Sequence, residues 1–346
     1  MRPPKRQRCT TSDASGRPAA ALQTVSAYDL KVPSNFDIAT AVCSYGFFML
    51  EPNHWTPDSK TFARHLQLSH TAPPAAVSIQ ADPGKQGHLR LSFKPAVDEQ
   101  DLQKAIRQVT RMLCLSEQDN QAVTAFQKMH PEAAACKAGR LFRSPTIWED
   151  LVKSITLCNC GWTRTISMNA ALCKQVGKGA FPSPLEIIAA GEAGLAACGV
   201  GYRAKTILKL AQQVEDGALQ ELETDADSMS NDDVMQHIKK LSGMGPFTAT
   251  NVLACMGRYD VIPCDSETLR HLKATRGSSF TSKATLQQDA AKAYAKYHPY
   301  QFLAYWFELQ QGYEALFGPF TELARESYGN FTSSSIRKGN PSTASS

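Results

Sequence analysis

The chain has 346 residues, of which 42% are hydrophobic and 20% charged, an ordinary balance for a globular protein with room for two or three small domains. No apolar run approaches the roughly 20 residues of a membrane span, and the N-terminus lacks the apolar segment of a secretory signal, so we expect neither. The formal net charge of +5 permits a nucleic-acid partner without requiring one, so any DNA affinity must come from local placement of charge.

Both ends of the sequence have the composition of disordered tails. Residues 1–24 are rich in Pro, Ser, Ala and Arg, and residues 326–346 end in a stretch rich in Ser and Thr. Residues 3–8 (PPKRQR) form a basic cluster, which is typical either of a nuclear import signal or of a solvated tail. On the first interpretation the protein is nuclear.

Residues 25–96 carry the alternation that is typical of β-strands. Hydrophobic and polar residues alternate over 77–81 and again over 89–93, and the intervening Asp-Pro-Gly-Lys-Gln-Gly at 82–87 is strong turn chemistry. These features predict a β-hairpin, and residues 65–68 indicate another strand. We therefore expect a small antiparallel β domain over 25–96.

From Asp98 onward the hydrophobic spacing changes to a helical period, with Leu102, Ile106 and Val109 on one face. Residues 97–325 are predicted to be mostly helical, with further helices near 119–129, 145–158, 162–176, 184–190, 192–198, 202–215, 231–240, 246–256, 265–273, 283–297 and 299–315. The expected fold class is α+β, a small N-terminal antiparallel β domain followed by a mostly α-helical core.

Residues 241–250 (LSGMGPFTAT) place two glycines and a proline between two predicted helices. Gly243 and Gly245 can adopt backbone angles closed to other residues, and Pro246 suits the first turn of the second helix. Such a turn presents backbone N–H groups at a helix N-terminus, where they bind a phosphate without reading its base. Taken alone, the turn is also typical of a plain connection between two packed helices.

Asp265 follows Gly245 by 20 residues and lies at the predicted start of a helix, after an apolar run closed by Pro263. A carboxylate at such a position is typical of a helix N-cap. Held near a bound phosphodiester, the same carboxylate can stabilise a developing positive charge.

The combination of Leu-x-Gly-x-Gly-x-x-Thr-Ala at 241–249 with Ile-Pro-x-Asp at 262–265 resembles the helix-hairpin-helix (HhH-GPD) DNA glycosylase superfamily. Within that group the chain is most similar to the 8-oxoguanine DNA glycosylase and 3-methyladenine DNA glycosylase II branches. The resemblance implies that Asp265 is the catalytic carboxylate and that Gly243 and Gly245 form a DNA-phosphate-binding hairpin.

A stretch from Trp148 to Arg164 resembles the superfamily helix that leads to a DNA-probing loop. The resemblance implies that Asn159 and Arg164 contact the base that is left without a partner. From the residues alone, Asn159 is equally suited to a helix C-cap and Arg164 to a solvated helix face.

The stretch Gly-Val-Gly-Tyr-Arg-Ala-Lys at 199–205 resembles a superfamily segment in which the Tyr wedges into the duplex and the Arg contacts the opposite base. The resemblance implies these roles for Tyr202 and Arg203. An aromatic ring replaces the stacking that is lost when a base leaves the helix. The alternatives are core packing for Tyr202 and a solvated side chain for Arg203.

Residues 297–306 (YHPYQFLAYW) resemble the C-terminal helix that closes the base pocket. Phe247, Tyr305 and Trp306 are expected to line that pocket, where aromatic faces suit an electron-poor alkylated base; core packing is the alternative for each ring. The positions that read 8-oxoguanine in its glycosylases correspond here to Tyr305 and Leu309, which puts 8-oxoguanine in doubt as the substrate.

Bifunctional members carry a Lys two residues after the second hairpin glycine, and Phe247 occupies that position here. The resemblance therefore implies a monofunctional glycosylase that excises a damaged, flipped-out base, with Asp265 activating water and stabilising an oxocarbenium-like transition state. Two alternatives stay open: an 8-oxoguanine-type glycosylase with altered base contacts, and a non-catalytic DNA-binding protein that keeps the hairpin.

The expected partner is double-stranded DNA containing a damaged base, bound by a monomer without a cofactor or metal. None of the ten cysteines lies after Cys264 and no Cys-x-x-Cys pair occurs. This pattern excludes a cysteine-ligated iron–sulfur cluster downstream of the catalytic region.

Overall fold

An antiparallel sheet forms the N-terminal part of the protein in a computed structural model that describes residues 24–69, 73–277 and 283–331. Its strands pair in the order first, fifth, fourth, third, second, and they are β1 (Val25–Lys31), β2 (His54–Thr56), β3 (Thr61–Leu66), β4 (Ala75–Ala81) and β5 (His88–Val97). The predicted turn at 82–87 joins β4 to β5, where Asp82 accepts a hydrogen bond of 2.8 Å from the amide of Gly84. The hairpin is therefore confirmed.

Helices make up most of the remaining described chain. They are α1 (Ile38–Val42), α2 (Glu99–Met112), α3 (Glu117–Met129), α4 (Pro131–Ala135), α5 (Ile147–Leu157), α6 (Trp162–Gln175), α7 (Pro184–Ala197), α8 (Arg203–Glu215), α9 (Gln220–Thr224), α10 (Asn231–Lys239), α11 (Pro246–Cys255), α12 (Ser266–Arg276), α13 (Leu286–Ala293) and α14 (Gln301–Phe317). The α+β class is confirmed, and the two helices predicted over 184–198 meet at Gly191, whose φ of 61° and ψ of −176° are not helical and divide α7 in two. Among the described helices, none is long and apolar enough to cross a membrane.

Polar residues determine where many of these helices begin. Their side chains accept a hydrogen bond from a backbone N–H of the first turn, which otherwise has no acceptor within the helix. The caps of this kind are Asp37, Asp98, Ser116, His130, Thr146, Ser183, Ser230 and Asp265.

Buried hydrophobic residues form two clusters that do not follow the expected boundary at residue 96. The first joins the sheet to α2, α3 and α14, as Phe62, Phe126 and Phe302 illustrate. The second joins α5 to α8 with α10 and α11, and includes Leu151 and Ile207. The predicted boundary at residue 96 marks where strands give way to helices along the chain. It does not separate two hydrophobic cores, because the sheet packs against the C-terminal helix α14.

The C-terminal segment is packed further than the expected tail boundary allows. Arg325–Asn330 forms a 3-10 helix, and the ring of Phe331 lies 4.8 Å from Phe317 and 5.1 Å from Phe320. The predicted tail over 326–346 is therefore wrong for 326–331, because Tyr328 and Phe331 are buried. Residues 1–23 and 332–346, including the basic cluster, lie outside the described residues.

A buried ion-pair network connects the sheet to α5. Arg64 on β3 makes a bidentate contact with Glu149, at 2.8 and 3.2 Å, and the Lys153 ammonium lies 2.6 Å from the same carboxylate. Burial alone would raise the pKa of Glu149, but Arg64 and Lys153 outweigh it and lower that pKa. The carboxylate is therefore charged, and it needs both cations.

We expect Arg64→Met to lower the free energy of unfolding by about 3 kcal/mol, because a buried carboxylate loses its bidentate partner. Arg90→Met is the matched control, since the Arg90 side chain on β5 is exposed and pairs with Asp29 and Asp82 in contact with solvent, so its loss should matter far less. Urea denaturation of both variants measures the difference. Equal destabilisation by the two changes would contradict this assignment.

Candidate active site

The glycine turn predicted at 241–250 connects α10 to α11. Gly243 has φ +84°, and a Cβ there would lie 2.6 Å from Thr206 Cγ2 and 2.8 Å from Ile155 Cδ1. Both the backbone angle and the space require glycine. The Thr248 hydroxyl lies 3.0 Å from the carbonyl oxygen of Gly243 and 3.1 Å from that of Gly245, so the start of α11 holds the turn in place.

Gly245 caps α11 and is a glycine for a different reason. Its φ of −78° and ψ of −178° suit any residue, and no described atom lies within 4 Å of the position of an added Cβ. The site is exposed, and the amides of the first turn of a helix lack acceptors within that helix. Open space beside these amides, at the positive end of a helix, suits the close approach of a phosphate.

Asp265 is the N-cap of α12. Its Oδ1 accepts hydrogen bonds from the amides of Glu267 and Thr268, both at 2.9 Å, and from the Thr268 hydroxyl at 3.1 Å. No described residue donates to Oδ2, which leaves that oxygen for a group in the adjoining cavity. Desolvation by the surrounding residues raises the pKa of Asp265, against the hydrogen bonds from Thr268 and Glu267, although the residue as a whole is exposed to solvent.

A cavity of about 290 Å³ adjoins Asp265, close to the lower end of the range for ligand pockets. Aromatic rings form much of its wall: Tyr45, Phe47, Trp162, Phe247, Phe302, Tyr305, Trp306, Tyr313, Phe320 and Phe331. The three predicted pocket residues Phe247, Tyr305 and Trp306 are among them. Because Phe247 belongs to the first turn of α11, the glycine turn and the cavity share a wall.

Aromatic donors in the cavity wall are already committed to protein acceptors. The pairs are Tyr45 with Asn251, Tyr305 with Thr268, Tyr313 with Glu267, Trp162 with the carbonyl of Tyr328, and Trp306 with the carbonyl of Ser44. The wall also contains two carboxylates, Asp265 and Glu267. The cavity therefore offers a ligand π faces and the negative charge of Asp265, and none of the described rings in its wall has a free donor.

The two predicted DNA-contacting loops lie against each other. The Asn159 amide donates to the Tyr202 hydroxyl at 3.3 Å, and Arg164 donates to the carbonyl of Gly199 at 3.1 Å. Asn159 has φ +51° and is exposed, as is Arg164, and the Tyr202 side chain is 67% exposed. The core-packing alternative for Tyr202 is therefore wrong.

Arg203 does not lie where the sequence places it. The residue is 3% exposed, and its guanidinium donates to the carbonyls of Ile155, Cys158 and Val200. These carbonyls lie at the end of α5 and in the loop before α8, so Arg203 satisfies backbone acceptors that would otherwise be buried without partners. A contact with the opposite base is inconsistent with this burial, and Arg203 instead joins the two loops.

Several cavity residues come from parts of the chain that the sequence analysis left without a role. Tyr45 and Phe47 lie between β1 and β2, and Phe320 and Phe331 follow α14. The sequence signal that could have identified them is the aromatic density around 45–48. Among the described residues, no group of three His, Cys, Asp or Glu side chains is arranged to hold a metal ion.

Comparison with known proteins gives matches in structure alone, since no family model and no curated protein matches the sequence. The 3-methyladenine DNA glycosylase from Archaeoglobus fulgidus aligns with a TM-score of 0.61 at 16% identity, over 82% of this chain and 97% of that one. MBOgg1 in complex with a low-affinity DNA ligand aligns at 0.60 and 17%, over 84% and 97%. The apo 8-oxoguanine glycosylase/lyase of Clostridium acetobutylicum aligns at 0.57 and 14%, over 81% and 96%. The chain therefore has the fold that these DNA glycosylases share.

Proposed function

We propose that the protein is a DNA repair glycosylase that hydrolyses the N-glycosidic bond of a damaged base in duplex DNA. The observation that carries the proposal is the Asp265 carboxylate, which has one oxygen without a described donor inside an aromatic cavity. Phe247 in the cavity wall also belongs to the first turn of α11, whose backbone amides are placed to bind a phosphate. A nucleotide whose phosphate binds the hairpin amides would thus present its base to the cavity.

In the proposed reaction the damaged base leaves the stack and enters the cavity, and Tyr202 fills the space it vacates. Breaking the bond from C1′ to the base nitrogen develops positive charge on the sugar. The Asp265 carboxylate stabilises that charge and orients the attacking water, in a cavity where electrostatic interactions are strong. The exposed position of the Tyr202 ring supports the wedge role.

The cavity wall supports hydrolysis by water over covalent catalysis by an amine. Phe247 stands at the position where bifunctional relatives carry Lys, and no described residue in the cavity wall is a lysine. Lys239 and Lys240 precede the hairpin and are exposed, which suits contact with phosphates. We therefore propose a monofunctional enzyme, acting as a monomer.

Borohydride treatment during reaction with a lesion-containing duplex should trap no covalent DNA adduct, because no amine attacks C1′. The product strand should stay intact until it is heated in alkali. An adduct trapped by the wild-type protein that persists in the double variant Lys239→Ala/Lys240→Ala would contradict the monofunctional assignment. A bifunctional 8-oxoguanine glycosylase serves as the positive control for trapping.

The cavity favours an alkylated, electron-poor base. Its ring-borne donors already bond to protein acceptors, so the rings leave few donors for the carbonyl groups of a base. The aromatic faces and the Asp265 carboxylate attract a cationic base, whereas Glu267 is paired with Arg270. Excision assays on duplexes containing methylated purines, hypoxanthine or 8-oxoguanine test this proposal. Faster release of 8-oxoguanine than of methylated purines would favour the alternative of an 8-oxoguanine-type enzyme with altered contacts. A nuclear location is proposed from the basic cluster at 3–8.

A further inference from the structure

One hydroxyl group in the cavity wall connects a buried tyrosine to the candidate catalytic carboxylate. Thr268 Oγ1 lies 3.0 Å from the hydroxyl of Tyr305 on α14 and 3.1 Å from Asp265 Oδ1. It also accepts from the backbone amide of Asp265 at 3.2 Å. The Thr268 side chain is buried, so its hydroxyl bonds to these protein groups and not to solvent.

The number of available protons and acceptors decides which hydroxyl donates in the contact between Thr268 and Tyr305. The Thr268 hydroxyl has a single proton, and the acceptors within reach are the carboxylate of Asp265 and, at 3.4 Å, the carbonyl of Pro263. An ionised carboxylate is the stronger acceptor. Since the Thr268 hydroxyl uses its single proton in a hydrogen bond to the ionised Asp265, it can only accept from Tyr305. The Tyr305 hydroxyl must therefore be the donor in that contact. The result is a chain from Tyr305 through Thr268 to Asp265.

Tyr305 is held too firmly to be only a stacking surface. It is 3% exposed, and its ring meets those of His271 and Tyr294 edge-on, at 5.6 and 5.7 Å between centroids. Its hydroxyl has Thr268 as its hydrogen-bond partner among the described residues. A ring that is fixed on several sides holds its hydroxyl at a fixed point above α12.

We propose that Tyr305 is a positioning residue that acts through Thr268 to fix the orientation of the Asp265 carboxylate and to keep it ionised. This inference rests on the proposed function. Burial works against ionisation of Asp265, and donated hydrogen bonds work for it. The other titratable groups that interact with Asp265 are its chain neighbours Cys264 and Glu267, Tyr313 on α14, and Tyr45 between β1 and β2. As carboxylate, thiol and phenols, they bring no positive charge to it.

Tyr305→Phe removes the hydroxyl and keeps the ring. We expect the pKa of Asp265 to rise by about half a unit to one unit, because the Thr268 donor is no longer polarised and oriented. Since the reaction needs the ionised carboxylate, the acidic limb of the pH–rate profile should move to higher pH by the same amount. Because the carboxylate also loses its fixed orientation, the single-turnover excision rate near neutral pH should fall by about three- to tenfold. Because the ring of Tyr305 stays in the cavity wall, the affinity for lesion DNA should change less than the rate does.

Three further variants separate positioning from a general loss of structure. Thr268→Val should reproduce the effect of Tyr305→Phe, Thr268→Ser should restore wild-type behaviour, and the double variant Tyr305→Phe/Thr268→Val should be no worse than Thr268→Val alone. Tyr313→Phe is the matched control, because its hydroxyl bonds to Glu267 and not to Thr268, so its loss should move the Asp265 pKa less than Tyr305→Phe does.

The Asp265 pKa is measured directly, from the ¹³C shift of its carboxyl carbon during titration of the DNA-free protein, with Asp265→Asn to assign the signal. An Asp265 pKa equal in wild type and Tyr305→Phe would overturn the inference, as would an equal rise in Tyr313→Phe. If the wild type excised no base, the proposed function would fall, and the titration would still decide whether Tyr305 controls Asp265.

Discussion

Asp265→Asn should lower the single-turnover rate of base excision by about 100-fold or more, because the sugar loses the negative charge that stabilises its transition state. The change should leave the fold intact. The Asn oxygen can still accept from the amides of Glu267 and Thr268, and Asn is as good an N-cap as Asp. Excision under enzyme excess and thermal unfolding measure the two effects.

Asp265→Ala provides the control, since it removes the cap together with the charge. It should be equally inactive but less stable than Asp265→Asn, by about 1 kcal/mol. A rate in Asp265→Asn above a tenth of the wild-type rate would contradict a catalytic role. Such a result would make the carboxylate a structural cap and favour a DNA-binding function without catalysis.

Gly243→Ala should chiefly reduce stability and Gly245→Ala should chiefly reduce DNA affinity, although the two glycines are only two residues apart. At Gly243 the added methyl group meets Thr206 and Ile155 at a positive φ, so stability should fall by about 2–4 kcal/mol. At Gly245 the methyl group meets no described atom, so stability should fall by less than about 1 kcal/mol. Duplex affinity should nevertheless fall about tenfold or more, because the methyl group keeps a phosphate from the amides.

Salt dependence distinguishes a lost phosphate contact from a general defect in Gly245→Ala. The slope of log K against log salt should decrease in magnitude by about one, which corresponds to one phosphate. Gly312→Ala is the control, because it adds a methyl group to open space on α14, outside the hairpin and cavity wall. An unchanged affinity and salt slope in Gly245→Ala would remove the hairpin from the DNA interface.

Features encoded by local sequence could be predicted from it. The Gly-x-Gly-Pro turn and the Asp265 cap depend on backbone conformations that few residues support, so the sequence pattern reveals them. Hydrophobic periodicity likewise placed the hairpin of β4 and β5 and most of the helices, because one buried face imposes a regular spacing. The kink at Gly191 was also visible, as a gap between two predicted helices.

Features that depend on contacts between distant segments could not be predicted in this way. Arg203 follows an exposed Tyr202, yet its guanidinium turns inward to carbonyls at the end of α5, some 45 residues earlier in the chain. Phe331 lies in a segment whose composition resembles a tail, and its burial depends on Phe317 and Phe320. The cavity is assembled from both ends of the chain, and no local period encodes that association.

The most direct test of the account is the release of free base from a lesion-containing duplex, followed by mass spectrometry under single-turnover conditions for wild type and Asp265→Asn. We expect the wild-type protein to release an alkylated purine as the free base and to leave the sugar–phosphate strand unbroken. Asp265→Asn should release it at least about 100-fold more slowly. Absence of base release from every lesion tested, or equal release by the two proteins, would contradict the central claim.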